Sequence, residues 1–206
     1  MASTALKMQK ELCGQSDYYS IVAKGPMLDK VYSMRYRSYS AENYIEENSS
    51  LKFMDEYDAK LNSTCFLAYH QEKAIGSMRA CVFDPKAGLS VPIVEVFEKE
   101  IRESVGYNNI FVEMNKFVMD PDFQRRGGVR ARLSLMGAVL NESINKNAVA
   151  VFVAVRPEHI KFYEIFGGKL ISDIKPYPLL SFKTALVVCT DLLDAQKILH
   201  GKLRAA

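Results

Sequence analysis

Apolar positions along the chain keep two rhythms, one of two residues and one of about 3.6, and they switch at clusters of glycine, proline and polar residues. Tyr18 to Ala23 is dense in aromatic and β-branched residues and is expected as a first strand, broken by Gly25-Pro26. Val31 and Met34, with tyrosines between and after them, predict a helix from Met27 to about Ser40. Residues 41–62 are polar and acidic, and are expected as an irregular or partly helical excursion, too long for a plain connection. Thr64–His70 and Ala74–Phe83 read as a hairpin over Gln71-Glu72-Lys73, with Gly76 marking a bulge or a close approach. After the turn cluster Asp84–Gly88, the spacing of Ile93, Val94, Val96, Phe97 and Ile101 places a helix over 92–104.

Residues 110–119 form the next expected strand, and 128–145 a helix with Leu133, Met136, Leu140 and Ile144 on one stripe. Val149–Val155 is apolar on both faces, which suits a strand in mid-sheet. Arg156-Pro157 ends it, and a short helix runs to Gly167-Gly168, where glycine suits the C-terminal cap. Lys169–Ile174 and Phe182–Cys189 are late strands. Thr190 or Asp191 then caps a final helix that turns Leu192, Leu193, Ala195, Ile198 and Leu199 inward. Residues 4–13, within an N-terminal stretch 1–15, are expected as a short surface helix. The sum is an α/β (α+β) domain spanning 1–206, with helices on both faces of a mixed sheet and no internal boundary.

Composition narrows the classes. An apolar fraction of 49% is enough for a real core, and a net charge of +3 gives no sign of a nucleic-acid partner. No run approaches the roughly 18 apolar residues of a membrane span, and the N-terminus lacks the apolar core of a signal peptide. Cys13, Cys65, Cys81 and Cys189 stand isolated, as expected of reduced thiols in a cytoplasmic protein. His70, His159 and His200 fall in no metal spacing, so no metal is expected.

The chemistry concentrates between Ile110 and Leu170. A strand carrying Glu113 leads into the glycine turn Gln124-Arg-Arg-Gly127-Gly128 at a helix start, where free amides and the helix dipole favour an anion. Arg125, Arg126, Arg130 and Arg132 crowd that helix start, and each cation there opposes the dipole by roughly 0.3–1 kcal/mol. Four of them suit a strongly anionic partner better than one phosphate, with Lys161 extending the patch; a solvated basic face is the competing reading. Upstream, Arg35, Arg37 and Arg79 are candidates for a two-pronged grip on a carboxylate, with Asp55 and Asp58 organising them or meeting an ammonium. Ordinary salt bridging competes for each.

One ordered set of short motifs runs through these residues: Arg35-x-x-x-Tyr39, Asp55-Glu-Tyr-Asp58, Phe66-Leu-Ala68, Ile75-Gly-Ser-Met-Arg79, Phe97, Glu113-Met-Asn-Lys-Phe117, and Phe162-Tyr163 with Gly167. The set, over roughly residues 30–175, resembles the GCN5-related N-acetyltransferase fold. Within that superfamily it resembles the branch of acyl-homoserine-lactone synthases and N-acyl amino acid synthases. It is most like the N-acyl tyrosine synthases of environmental soil DNA, which work with an acyl carrier protein. Two departures argue against a lactone product. Asn115-Lys116 stands where lactone synthases have Ser/Thr-Arg, and the tryptophan expected after the first helix is absent, with Tyr44 near its place. Val129 at the last position of the phosphate turn disfavours coenzyme A and is compatible with a phosphopantetheine arm.

The resemblance implies a mostly antiparallel central sheet and transfer of an acyl group from a thioester to an amine. It implies Glu113 as base, acting through a water, with Glu95 as the second candidate, and Tyr163 as the acid for the leaving thiolate. Backbone amides near Phe117–Met119 are candidates to polarise the thioester carbonyl. Lys116 and Phe117 join Arg35, Arg37, Asp55, Asp58 and Arg79 as acceptor-binding candidates. Gln124, Arg125, Arg126, Gly127, Gly128, Arg130, Arg132 and Lys161 are those for phosphopantetheine and carrier protein. The donor is then acyl-phosphopantetheine on acyl carrier protein, or acyl-CoA, with no permanently bound cofactor. The acceptor is an amino acid, tyrosine first. A lactone synthase, a coenzyme A-dependent acetyltransferase and a non-catalytic module that binds an acidic protein remain the alternatives.

Overall fold

The computed structural model of the chain describes residues 17–123 and 128–205. The helix expected over 4–13 and the turn residues Gln124–Gly127 lie outside the described residues. Among the described residues the frame is a mixed sheet of eight strands. Its spatial order is β1 (Tyr18–Val22), β2 (Ser63–His70), β3 (Lys73–Phe83), β4 (Phe111–Met119), β5 (Val151–Val155), β8 (Lys183–Cys189) and β6 (Lys169–Leu170), with β7 (Lys175–Pro176) also paired to β8. Every neighbouring pair is antiparallel except β4 and β5, which run parallel. The hairpin of β2 and β3 carries an extra residue, Ile75, opposite the Ala68–Tyr69 step, beside Gly76. A Cβ on Gly76 would stand 2.7 Å from Met119 Sδ, so both the bulge and the close approach occur there.

Among the described residues, five helices cover the sheet: α1 (Met27–Ser40), α2 (Val94–Ser104), α3 (Val129–Asn145), α4 (Ile160–Glu164) and α5 (Leu192–Ala205). Strand alternation sends Phe66 and Ala68 of β2 to the face covered by α3 and α5, and Cys65, Leu67 and Tyr69 to the face covered by α1. Farther along, Phe111 and Phe152 turn to that second face and pack on Phe97 and Ile101 of α2. On α3, Leu133, Met136 and Leu140 are buried as the stripe predicts. Asp191 caps α5 by accepting from Asp194 N at 2.9 Å. Leu192, Ala195 and Leu199 then face inward, but Leu193 is 59% exposed. It sits one residue, about 100° of helix, off that stripe, which corrects the expectation that it is buried. The strand expected over Lys169–Ile174 also ends early. Leu186 N donates to Ser172 Oγ at 2.7 Å in place of a backbone carbonyl, and pairing resumes only at β7. The excursion over 41–62 holds a 3₁₀ turn, Glu56–Ala59, fixed by a reciprocal cap: Asp55 Oδ1 accepts from Tyr57 N, and Asp58 Oδ2 from Asp55 N. Among the described residues, no helix is long and apolar enough to cross a membrane.

Candidate active site

β4 and β5 pair only at Val112–Val151 and Glu113–Phe152, yet β4 continues to Met119 and β5 to Val155. Past Glu113 the strands part. The cause lies in β4. Its register with β3 shifts between Ser77 and Arg79, and Lys116 sits in the left-handed region at φ 50°. A bulge of this kind bends a strand and sharpens its twist. The strained residue is held by its own side chain, whose Nζ lies 3.2 Å from Asp55 Oδ2 and 4.2 Å from the centre of the Phe53 ring. A cavity of about 740 Å³ fills the wedge. It opens through the sheet. Glu113, Tyr57, Tyr177 and Thr184 line it on the α2 side, and Met114, Val153, Tyr163 and Arg132 on the α3 side.

Glu113 stands at the vertex and is fully buried. Its Oε2 accepts from Ile93 N, just ahead of α2, at 3.0 Å, and its Oε1 accepts from the Tyr177 hydroxyl at 3.1 Å. Burial pushes its pKa up, and these donors, Asn115 and the Arg79 charge pull back without cancelling the rise. Tyr163 reaches the opposite side from α4, whose last turn is closed by Gly167 at φ 79°. Burial raises its phenol pKa well above the usual range, with Tyr39 adding to it and Arg132 opposing. Glu95 is exposed at the mouth, where it accepts from Tyr57 OH at 2.9 Å.

The predicted carboxylate grip takes a different form. Arg35 and Arg37 do not line the cavity. Arg35 is buried against Asp58 at 2.8 Å, and Arg37, 58% exposed, pairs with Asp120 at 2.8 Å. Arg79 does line it, but is saturated. It makes a fork to Asp55 at 2.6 and 3.0 Å, reaches Asp58 at 3.0 Å, and donates from Nε to Asn115 Oδ1 at 2.8 Å. Burial alone would raise the pKa of both aspartates, but Arg79 and Lys116 hold Asp55 well below the usual carboxylate range, and Arg35 and Arg79 lower Asp58. Arg35, Arg79 and Lys116 therefore face two carboxylates, and the surplus positive charge meets the cavity at Lys116. Burial pulls the Lys116 pKa down, with Asp55 opposing. Phe117, next along β4, also lines the wall.

Several polar cavity residues have no counterpart among the sequence candidates, Arg156, Tyr44, Tyr177 and Thr184 among them. Arg156 follows β5 directly, and residues at the C-terminal ends of parallel strands commonly serve ligands; that is the one signal available for it. Its guanidinium donates to Tyr44 OH and to His159 Nε2 at 2.7 Å, and stands 4.8 and 5.7 Å from the ring centres of Tyr44 and Phe182. It so ties the 41–44 turn to the cavity rim.

Of the phosphate-turn residues, Gln124, Arg125, Arg126 and Gly127 lie outside the described residues, and Gly128 is the N-terminal cap of α3. A Cβ on Gly128 would lie 3.4 Å from Phe123 O and 3.5 Å from Met119 Cε. Arg132 reaches the cavity wall, Arg130 is partly exposed and Lys161 is exposed on α4. Among the described residues, no group of three or more His, Cys, Asp or Glu is placed to hold a metal ion.

Comparison with known proteins bears on the family and the fold. A family model described as N-acyl amino acid synthase FeeM matches residues 30–190. No curated protein sequence matches the chain. Among solved structures, FeeM, an N-acyl amino acid synthase from uncultured soil microbes, is similar over 84% of this chain and 90% of its own, with 17% identity and a TM-score of 0.70. BjaI, a CoA-dependent acyl-homoserine lactone synthase solved with MTA, is similar over 91% of this chain and 89% of its own (16% identity, TM-score 0.66). The acyl-homoserine lactone synthase LasI is similar over 90% and 96% (13% identity, TM-score 0.64).

Proposed function

We propose that this chain, an N-acyltransferase that belongs to the FeeM family of N-acyl amino acid synthases, moves a medium or long acyl group from acyl carrier protein to the α-amine of an amino acid, tyrosine first. The observation that carries the reading is the buried, proton-attracting carboxylate of Glu113 at the vertex of an open strand wedge. The acyl-phosphopantetheine arm enters between β4 and β5, where the unpaired edge of β4 offers backbone amides near Phe117–Met119 to the thioester carbonyl. The acceptor comes from the α2 side, its ammonium toward Glu113 and its carboxylate toward the surplus charge at Lys116. Glu113 takes the proton that frees the amine, which attacks the carbonyl carbon. The tetrahedral intermediate expels the thiolate, and Tyr163, a neutral phenol at physiological pH, protonates it. The thioester arrives activated, so the reaction needs no metal and no permanently bound cofactor.

Arg125, Arg126, Arg130 and Arg132, with Lys161, serve in this reading as the docking face for the acidic carrier protein. The chain works as one acyltransferase domain over 1–206, in the cytoplasm. The test is to supply purified protein with acyl carrier protein thioester or acyl-CoA, and with tyrosine or S-adenosylmethionine, and to identify products by mass spectrometry. N-acyl tyrosine from the carrier thioester is the expected product. A lactone would replace the amino acid reading, and no acyl transfer from any donor would leave a binding module.

A further inference from the structure

Glu113 borders the cavity and is well placed to hold a proton, but both its oxygens already accept from protein donors. It has no exposed surface. One carboxylate oxygen is taken by Ile93 N and the other by the Tyr177 hydroxyl. Tyr177 itself lines the cavity wall and donates that hydroxyl to Glu113. We propose that Tyr177 is a catalytic residue, the relay through which the acceptor ammonium delivers its proton to Glu113. The inference rests on the acyl-transfer reading and puts a fixed hydroxyl where that reading, from sequence, had a water.

The surroundings fix the relay from several sides. Tyr177 lies between Pro176 and Pro178, and proline φ is locked. Lys175, two residues earlier, is anchored to the α2 helix through Glu100 Oε1 at 2.6 Å and Val96 O at 3.3 Å. Leu180 N donates to Tyr177 O at 3.3 Å and closes the turn beyond. The ring packs in the apolar cluster built by Phe97, Phe111 and Phe152. Thr184, opposite Lys175 in the β7–β8 pairing, is 2% exposed, and its hydroxyl has no partner among the described residues. It lines the same wall and gives the amine a second acceptor. Tyr57, another phenol on this side, is already committed to Glu95.

The step balances without a further reagent. An ammonium proton passes to the Tyr177 oxygen as the Tyr177 proton passes to Glu113 Oε1, so the phenol is neutral before and after. Burial and the adjacent Glu113 charge raise the Tyr177 pKa far above its usual value, which keeps a phenolate from accumulating. The freed lone pair forms the C–N bond, the C–S bond breaks, and a second amine proton is lost as amide and thiol form. Glu113 then returns its proton to solvent. The charged and titratable groups facing the pair are Arg79 and Cys81 from β3, Asn115 being neutral, Glu95 and Tyr57 at the mouth, and Lys175 with Glu100 behind.

The test compares wild type and Tyr177→Phe, with acyl carrier protein thioester as donor and two acceptors: the amino acid, and its α-hydrazino analogue, whose nitrogen is mostly unprotonated at mildly alkaline pH. For the amino acid, kcat should fall about 10²-fold or more while KM for the donor holds. The variant's rate should rise with pH toward the pKa of the free amine, in place of the wild-type acid limb. With the hydrazino analogue, which has no ammonium proton to shed before attack, the two proteins should agree within a few-fold. Wild-type turnover and pH profile in the variant would overturn the relay. So would equal loss with both acceptors, which marks a structural role. A wild-type protein that makes no amide would bring down the acyl-transfer reading first.

Discussion

Glu113 is the last residue of β4 with a partner on β5, and that partner is Phe152. The carboxylate thus sits where the sheet stops being continuous. Beneath it the sheet is packed: Phe152 meets Phe111 edge-on at 5.1 Å, and both are fully buried. Beyond it lies the cavity. One position so combines the two demands on a general base for an ammonium, desolvation that raises its proton affinity and, through the Tyr177 hydroxyl, a path to the cavity.

That desolvation has a measurable sign. The folded-state pKa of Glu113 is raised above its unfolded value. The neutral form is therefore the one the fold tolerates, and stability is lost as pH rises through the raised pKa. Glu113→Gln removes the cost. Its amide can accept from Ile93 N and donate to the Tyr177 oxygen, so both contacts can be remade. The variant should turn over about 10²–10⁴-fold more slowly. Its melting temperature should exceed wild type at neutral and alkaline pH, and the gap should close on acidification. A gap of constant size across a pH series of melts would refute the assignment.

The aspartate–arginine cluster makes the opposite prediction. The Asp58 carboxylate is fully buried beside Arg35 and Arg79. Asp58→Asn leaves Arg35 uncompensated and Arg79 with Asp55 alone, and should cost about 3–5 kcal/mol in chemical denaturation. Because the pKa values of Asp55 and Asp58 are depressed, the wild-type cluster stabilises above the ordinary carboxylate range and weakens as pH falls below it. Arg35→Lys should lower stability and leave KM for the acceptor unchanged. A selective rise in that KM would restore Arg35 as a substrate ligand.

The basic face of α3 can be separated from the chemistry. Arg130 is partly exposed and does not line the cavity. Arg130→Glu should raise KM for acyl carrier protein thioester several-fold, flatten its salt dependence, and leave KM for acyl-CoA nearly unchanged. Equal effects on both donors would point to the phosphate and away from protein docking.

Sequence carried the frame well because its elements announce themselves locally. The α3 stripe, the two-faced apolar run of β5 and the glycine after α4 each depend on neighbours within a few residues. The site was legible where motif order marked it: Glu113, Tyr163, Arg79, Lys116, Phe117 and Glu95 all line one cavity. It was not legible where partners decide. Arg35 and Arg79 look alike along the chain, yet only the second meets the cavity, because Asp58 closes over the first. Tyr177 lies 64 residues from Glu113, between two prolines in a stretch with no periodicity, and nothing local points to it.

The glycine pair after α4 offers a last separation of packing from chemistry. Gly167 has φ 79°, and a methyl added there would meet nothing within 4 Å. Gly167→Ala should therefore cost only the left-handed penalty, about 1–2 kcal/mol, with turnover intact. A Cβ on Gly168 would stand 2.7 Å from Val187 Cγ1 and 2.9 Å from Tyr163 O. Neither atom can yield alone, since one belongs to a buried strand residue and the other to the backbone of α4. Gly168→Ala must push that turn, and Tyr163 with it, toward the cavity. It should cost about 1–3 kcal/mol and also lower kcat several-fold, with KM for the acceptor little changed. Denaturation and steady-state kinetics on the two variants would check this. Equal turnover in both would show that Tyr163 tolerates displacement and does not protonate the thiolate.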